Sequence, residues 1–169
     1  DVALIRDTAR ACRAAGVPSI VVLNVCGPVE MYQWIDQVDA VLLIWLAGQD
    51  LGTTTAALLA GDENPSGKLP LTFPRRYLDT PTALNFPGEF GEVRYGEGIF
   101  VGYRYYDAKG VAPQFPFGYG LSYTTFRLDN LRLSSDTLDL EAGETILVSV
   151  DVTNTGDRPG QEAVSYTHL

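Results

Sequence analysis

Six carboxylates have types and settings that could do acid–base chemistry: Glu30, Asp50, Glu63, Glu89, Glu92 and Glu97. A pair of such groups can protonate a leaving atom and attack or stabilise an electron-poor carbon, provided their surroundings drive their pKa values apart. Glu97 lies between Gly96 and Gly98 in an aromatic stretch, where burial would raise its pKa. The competing reading has it paired with Arg94, Arg104 or a backbone donor, the common fate of a buried carboxylate. Asp50 follows an apolar run and precedes Thr53; it is either a ligand contact or the cap of the helix that follows. His168 is the single histidine, which removes the material for a Ser-His-Asp or multi-histidine metal site. Cys12 and Cys26 are too few for a disulfide framework, lack metal spacing and read as buried free thiols. Trp34, Trp45, Tyr103, Tyr105 and Tyr106 could offer stacking faces to a ligand, but they sit in segments that read as packing.

The elements that must position these groups fall into two kinds. Residues 1–15 read as a helix with Leu4, Ile5, Thr8, Cys12 and Ala15 as its stripe and Gly16 as its stop. Ser19 to Cys26 is apolar on both faces, as a parallel strand covered by helices is. Gly27-Pro28 breaks it, and Val29 to Gln37 reads as a short helix. Asp39 to Leu46 is a second buried strand, followed by a loop over 47–52 and a helix from Thr53 to Ala60. Loops at the carboxyl ends of such strands line ligand crevices, so Asn24–Gly27 and Ala47–Gly52 are the candidate contacts. Lys68 to Phe73 reads as an extended edge piece interrupted by Pro70, and Pro74 to Val93 as a long ordered loop.

Tyr95 to Tyr106 alternates bulky residues and reads as extended, with Asp107 to Gly110 as a turn. Its rings are expected to be buried and to stiffen a join between two domains. Beyond Thr124 the pattern is all-β: Phe126 to Leu133, a cleaner alternation of Ile146, Val148, Val150 and Val152, and a third strand over Gln161 to His168. A sandwich needs about seven strands. The exposed edge and apolar faces of an incomplete one are expected to make this region protease-sensitive or self-associating.

The chain has 169 residues, 12 basic and 21 acidic, for a net charge of −9. That balance argues against nucleic acid or an anionic membrane as partner, since both need clustered Lys and Arg. No apolar run reaches the roughly 18 residues of a membrane span. The start at Asp1, without Met or a signal pattern, leads us to expect a piece of a longer protein.

Three motifs, Asn64-Pro-Ser-Gly-Lys-Leu-Pro-Leu-Thr-Phe-Pro74, Tyr95-Gly-Glu-Gly-Ile-Phe-Val-Gly-Tyr-Arg-Tyr-Tyr106 and Phe115-Pro-Phe-Gly-Tyr-Gly-Leu-Ser-Tyr-Thr124, resemble the C-terminal half of glycoside hydrolase family 3, which includes β-glucosidases and β-xylosidases. Val21-Val-Leu-Asn24, Gly27-Pro-Val-Glu30 and Gly48-Gln-Asp50 add to the resemblance, in the family's order. The resemblance implies an α/β fold class: the end of an α/β sandwich domain with parallel strands over 1–75, an ordered aromatic linker over 76–123, and the start of a fibronectin type III-like β-sandwich over 124–169. It also implies a retaining β-glycosidase that acts on terminal β-linked glucose or xylose. Such an enzyme needs two carboxyls about 5–5.5 Å apart. In the family the nucleophile is an Asp on an N-terminal barrel and the acid/base a Glu in a loop that would precede Asp1. No residue here matches either motif, so no catalytic residue is assigned, and no cofactor or metal is expected.

The expected partners are a glycoside substrate, met through the intact protein, and the missing N-terminal barrel. The chain alone is expected to be inactive. Gln49 and Asp50 are the candidate substrate-side residues. The family commonly has Gly-Gln-Glu-Gly-Gly where this chain has Gly48-Gln-Asp-Leu-Gly52, a shorter acid followed by a bulkier side chain. Residues 165–169 depart from the family strand and read as a truncation or assembly scar. The rival reading is a non-catalytic carbohydrate-binding or cell-surface module. A flavodoxin-like ligand domain is disfavoured, because no Gly-rich phosphate turn follows either strand.

Overall fold

In the computed structural model, residues 1–139 and 141–162 are described. Helix α1 spans Val2–Ala15. Gly16 ends it in the left-handed region, its N–H bonding to Arg13 O while that of Val17 bonds to Cys12 O, a closure that satisfies otherwise orphaned carbonyls. The inward face is not the expected stripe. Val2, Ile5, Ala9 and Cys12 turn inward, whereas Leu4, Thr8 and Ala15 are exposed. Cys26, expected to be buried, is also exposed.

Strands β1 (Ile20–Leu23) and β2 (Ala40–Leu43) pair in parallel, from Ile20↔Ala40 to Leu23↔Leu43. The helix expected over Val29 to Gln37 is reduced to one 3-10 turn, Ile35–Gln37. The backbone closes tightly on Met31, whose carbonyl accepts from both Trp34 and Ile35 N–H at 2.9 Å. That single turn buries Met31 and Trp34 under the sheet, so the apolar side chains gain nothing from further helix, whose nucleation is costly. A 3-10 turn at Gly48–Asp50 leads into α2, Leu51–Ala60.

Lys68 to Phe73, expected to be extended, instead bends at Pro70 and Leu71 and meets 114–119 at its two ends: Leu69 N–H donates to Tyr119 O at 2.8 Å and Phe73 N–H to Phe115 O at 2.9 Å. Phe73, Met31 and Trp34 form the buried core, packed by Val21, Leu23, Val41, Leu43 and Phe115. Trp45 and Phe115 flank the Phe73 ring at centroid distances of 6.1 and 6.5 Å. Trp34 and Trp45 are thus packing residues.

The extended reading of Tyr95 to Tyr106 is overturned. The chain turns through Gly98 and Gly102, both at positive φ, then forms helix α3, Tyr103–Lys109, closed by Gly110 in the left-handed region. Alternating aromatics make a strand only beside a partner strand, and none among the described residues pairs with this segment. Tyr106 alone of its aromatic residues is buried; Tyr95 is 84% exposed. The Asp107–Gly110 turn is therefore the last turn and cap of α3.

Strands β3 (Phe126–Leu133) and β4 (Val148–Asn154) are antiparallel, with a bulge between Asp129 and Arg132. The third strand expected over Gln161 to His168 falls mostly outside the described residues. Leu128 and Val152 oppose each other and are both nearly half exposed, so one face of this ribbon lacks a cover among the described residues. We expect concentration-dependent association in sedimentation velocity, weakened by Val152→Lys; a monomer at all concentrations would contradict it.

A polar joint connects this ribbon to the helix and parallel pair. Asn64 Oδ1 accepts from Ser122 Oγ at 2.9 Å and Tyr123 N–H at 2.8 Å, and its Nδ2 donates to Pro159 O at 2.9 Å. Lys68 Nζ lies 3.1 Å from Glu162 Oε1 and donates to Gly120 O at 2.7 Å. Both charged side chains are largely buried, where loss of either partner would leave an uncompensated charge.

Asp39 fixes the entry to β2. Its Oδ2 accepts from Ser19 N–H at 2.7 Å and Ser19 Oγ at 2.9 Å. Those bonds, with help from Arg13, hold its carboxyl below the ordinary value of 3.8. A depressed folded-state pKa stabilises the fold above the unfolded value and loses that contribution as pH falls through the folded one. Asp39→Asn is therefore expected to flatten the stability slope below about pH 4. Parallel wild-type and variant curves from urea melts at stepped pH would refute this.

Candidate functional site

Because β1 and β2 run parallel in register, the residues after Leu23 and after Leu43 emerge on the same side of the sheet. The structure thus brings the two candidate loops, Asn24–Gly27 and Ala47–Gly52, to one end. Gln49 and Asp50 lie there in the 3-10 turn and are exposed. Asp50 occupies the cap position of α2, but its side chain makes no capping hydrogen bond. The backbone runs from the 3-10 turn straight into the helix, so the usual extended cap geometry is missing.

The other carboxylates are scattered. Glu30 accepts from Tyr77 N–H beside a small cavity of about 310 Å³. Glu63 and Asp39 lie on the wall of a larger apolar cleft of about 880 Å³ between β2, α2 and residues 63–69 and 115–121. Asp39 is engaged by Ser19 at the amino end of β2, opposite the candidate loops. Glu89 and Glu92 face each other across a tight reversal, exchanging backbone bonds of 3.0 and 2.9 Å. Phe90, at φ 53 and fully exposed, forms its tip. These two residues pair through their backbones, but both are exposed and line neither cavity. Glu97 is half-buried, and the Asn85 side-chain amide donates to it at 3.5 Å.

A retaining pair needs one carboxyl kept protonated and one ionised across an enclosed space. Neither cavity presents two uncommitted carboxyls with that difference in setting. What the sequence reading missed is the polar joint at Asn64 and Lys68 and the cavity of Thr72 and Tyr106. Their partners lie 30 to 100 positions away in the chain, where no local spacing rule reaches. The density of turn formers at Asp62 to Gly67 was the one visible signal.

Comparison with known proteins gives this geometry its context. The profile of the glycosyl hydrolase family 3 C-terminal domain matches residues 3–123. The chain is 52% identical over 145 residues to thermostable beta-glucosidase B of Acetivibrio thermocellus, covering 86% of this chain and 19% of that protein. It is 45% identical over 154 residues to a beta-glucosidase of Rhizobium radiobacter, covering 88% and 18%. Among solved structures, beta-glucosidase 3B of Thermotoga neapolitana in complex with glucose superposes with a TM-score of 0.86 at 48% identity, over 94% of this chain and 22% of that one. The chain thus spans about a fifth of the length of the relatives it matches. With the family profile covering more than half of its residues, this chain belongs to the glycosyl hydrolase family 3 C-terminal domain family.

Proposed function

We propose that this chain is the C-terminal portion of a retaining β-glycosidase that hydrolyses terminal β-linked glucose or xylose residues. The carrying observation is the 52% identity to a β-glucosidase over most of the chain. The absence of a suitable carboxyl pair from the two described cavities supports a division of labour. The nucleophile and acid/base belong to a preceding barrel and loop of a longer polypeptide. This chain supplies one wall of the substrate site through Gln49 and Asp50, together with a structural module.

Residues 1–75 are assigned to the α/β sandwich, 76–123 to the linker and 124–169 to a fibronectin type III-like unit. The end of the family match at residue 123 and the antiparallel β3·β4 ribbon beyond it support the boundary at 123/124, while the match itself runs across 75/76 without a break. No helix among the described residues is long and apolar enough to cross a membrane.

A fluorinated β-glucoside that traps the glycosyl-enzyme intermediate tests the reading on the product of the whole coding sequence. The covalent adduct is expected on an aspartate outside these 169 residues. An adduct on any carboxylate within them, or no hydrolysis of aryl β-glucosides and β-xylosides by the longer product, would overturn it.

A further inference from the structure

Residues 84–99 form an arm whose two limbs are tied to each other. At its root, Asn85 and Phe86 N–H both donate to Thr82 O at 2.9 Å, and the Asn85 side-chain amide reaches Glu97 Oε2 at 3.5 Å. Near its tip, Glu89 and Glu92 exchange backbone bonds. The Gly88 backbone lies so close to Glu92 O that a Cβ at Gly88 would collide with it. Polar bonds of its own, and not burial, therefore shape the arm. Every residue from Phe86 to Gly96 is exposed. Leu84, Phe86, Phe90, Tyr95 and Ile99 face solvent, from 62% at Phe86 to fully at Phe90. Apolar residues scattered singly on a surface need no account, whereas large ones gathered on one short segment mark an interaction site. Aromatic rings on a backbone ordered in advance are efficient anchors, because little freedom is left to lose on docking.

We propose that this arm, with Phe90 as its anchor, docks into an apolar pocket with a basic rim on the part of the longer polypeptide outside these 169 residues. The chain spans about a fifth of the length of the relatives it matches, so most of such a polypeptide is free to cover the arm. The arm falls inside the family match over residues 3–123, which makes it part of the family domain and not an appendage to it. Charge sets the rim: Glu89 and Glu92 flank Phe90 and are exposed, and Arg or Lys would complement them. The same two carboxylates disfavour a second copy of this chain, because docking tip to tip would bring like charges together. The proposal rests on the reading of this chain as one portion of a longer glycosidase, but its readout does not involve catalysis.

Hydroxyl-radical footprinting read by mass spectrometry, on the isolated chain and on the product of the whole coding sequence, tests it. Oxidation of Phe86, Phe90 and Tyr95 is expected in the isolated chain and is expected to be lost in the longer product. Phe90→Asn places a residue well suited to the left-handed backbone at φ 53. It is expected to leave the Tm of the isolated chain unchanged, as an exposed substitution does, and to restore oxidation of Phe86 and Tyr95 in the longer product. Equal oxidation of the two wild-type proteins, or protection in the longer product that survives Phe90→Asn, would overturn the proposal. So would protection that appears in the isolated chain as its concentration rises, which would assign the arm to a second copy. Lost oxidation in a longer product that cleaves no glycoside would uphold the docking and overturn the glycosidase reading alone.

Discussion

Phe73→Ala is expected to destabilise the chain by about 4 kcal/mol, the usual cost of truncating a fully buried phenylalanine. Phe73 is 1% exposed and is one of the two largest fully buried side chains among the described residues. Its ring is held between Trp45 and Phe115, and its backbone N–H and C=O both bond to the 114–115 segment. Those backbone bonds restrain residues 69–73 and 114–119, so the walls cannot collapse into the space the ring leaves. Phe73→Leu keeps much of the volume and is expected to cost less than half as much, about 1.5 kcal/mol. Urea unfolding of both variants checks the pair. Equal midpoints for Phe73→Ala and wild type would show that the core is organised elsewhere.

Gly120→Ala is expected to cost about 3 kcal/mol, at the severe end of overpacking. A Cβ on residue 120 would stand 2.3 Å from Gly67 O and 3.0 Å from Lys68 Cδ. Neither neighbour can retreat easily. The Asn64 side chain is tied to Ser122, Tyr123 and Pro159, and Lys68 is tied to Glu162 and to Gly120 O itself. Gly27→Ala is the control: its added Cβ would meet nothing within 4 Å, and its cost should stay within about 0.5 kcal/mol. Thermal melts that lower Tm equally for the two substitutions would remove the joint from the explanation.

The contrast between these sites shows which physics a sequence displays. The ends of α1 and α2 were legible because Gly16 and Gly61 follow segments of helical length and are suited to the left-handed cap. The parallel pair was legible because 20–23 and 40–43 are apolar on both faces. The inward face of α1 was misjudged at three positions: Leu4, Thr8 and Ala15 are exposed, while Val2 and Ala9 turn inward beside Ile5 and Cys12. Tyr95 to Tyr106 misled because alternating aromatics suit a strand only when a neighbour offers hydrogen bonds. Here Gly98 and Gly102 let the chain turn, and Tyr103 to Lys109 satisfies its own backbone as a helix. Val29 to Gln37 misled because its two buried residues, Met31 and Trp34, are reached by one turn.

The candidate site divides in the same way. The end of the sheet that carries Gln49 and Asp50 follows from strand direction, which apolar runs reveal. The capping role of Asp50 did not materialise, since it depends on backbone angles that composition does not set. The Thr72–Tyr106 cavity and the Asn64 joint depend on contacts across 34 to 95 positions in chain order, which periodicity cannot encode.

The division of labour between this chain and the rest of a glycosidase is tested most directly by turnover. The isolated 169-residue chain, at high concentration, is incubated with 4-nitrophenyl β-glucoside and β-xyloside and the released phenol is measured. No release above the buffer blank is expected. Release that Glu97→Gln or Asp50→Asn abolishes would place a catalytic carboxyl within these residues and contradict the assignment.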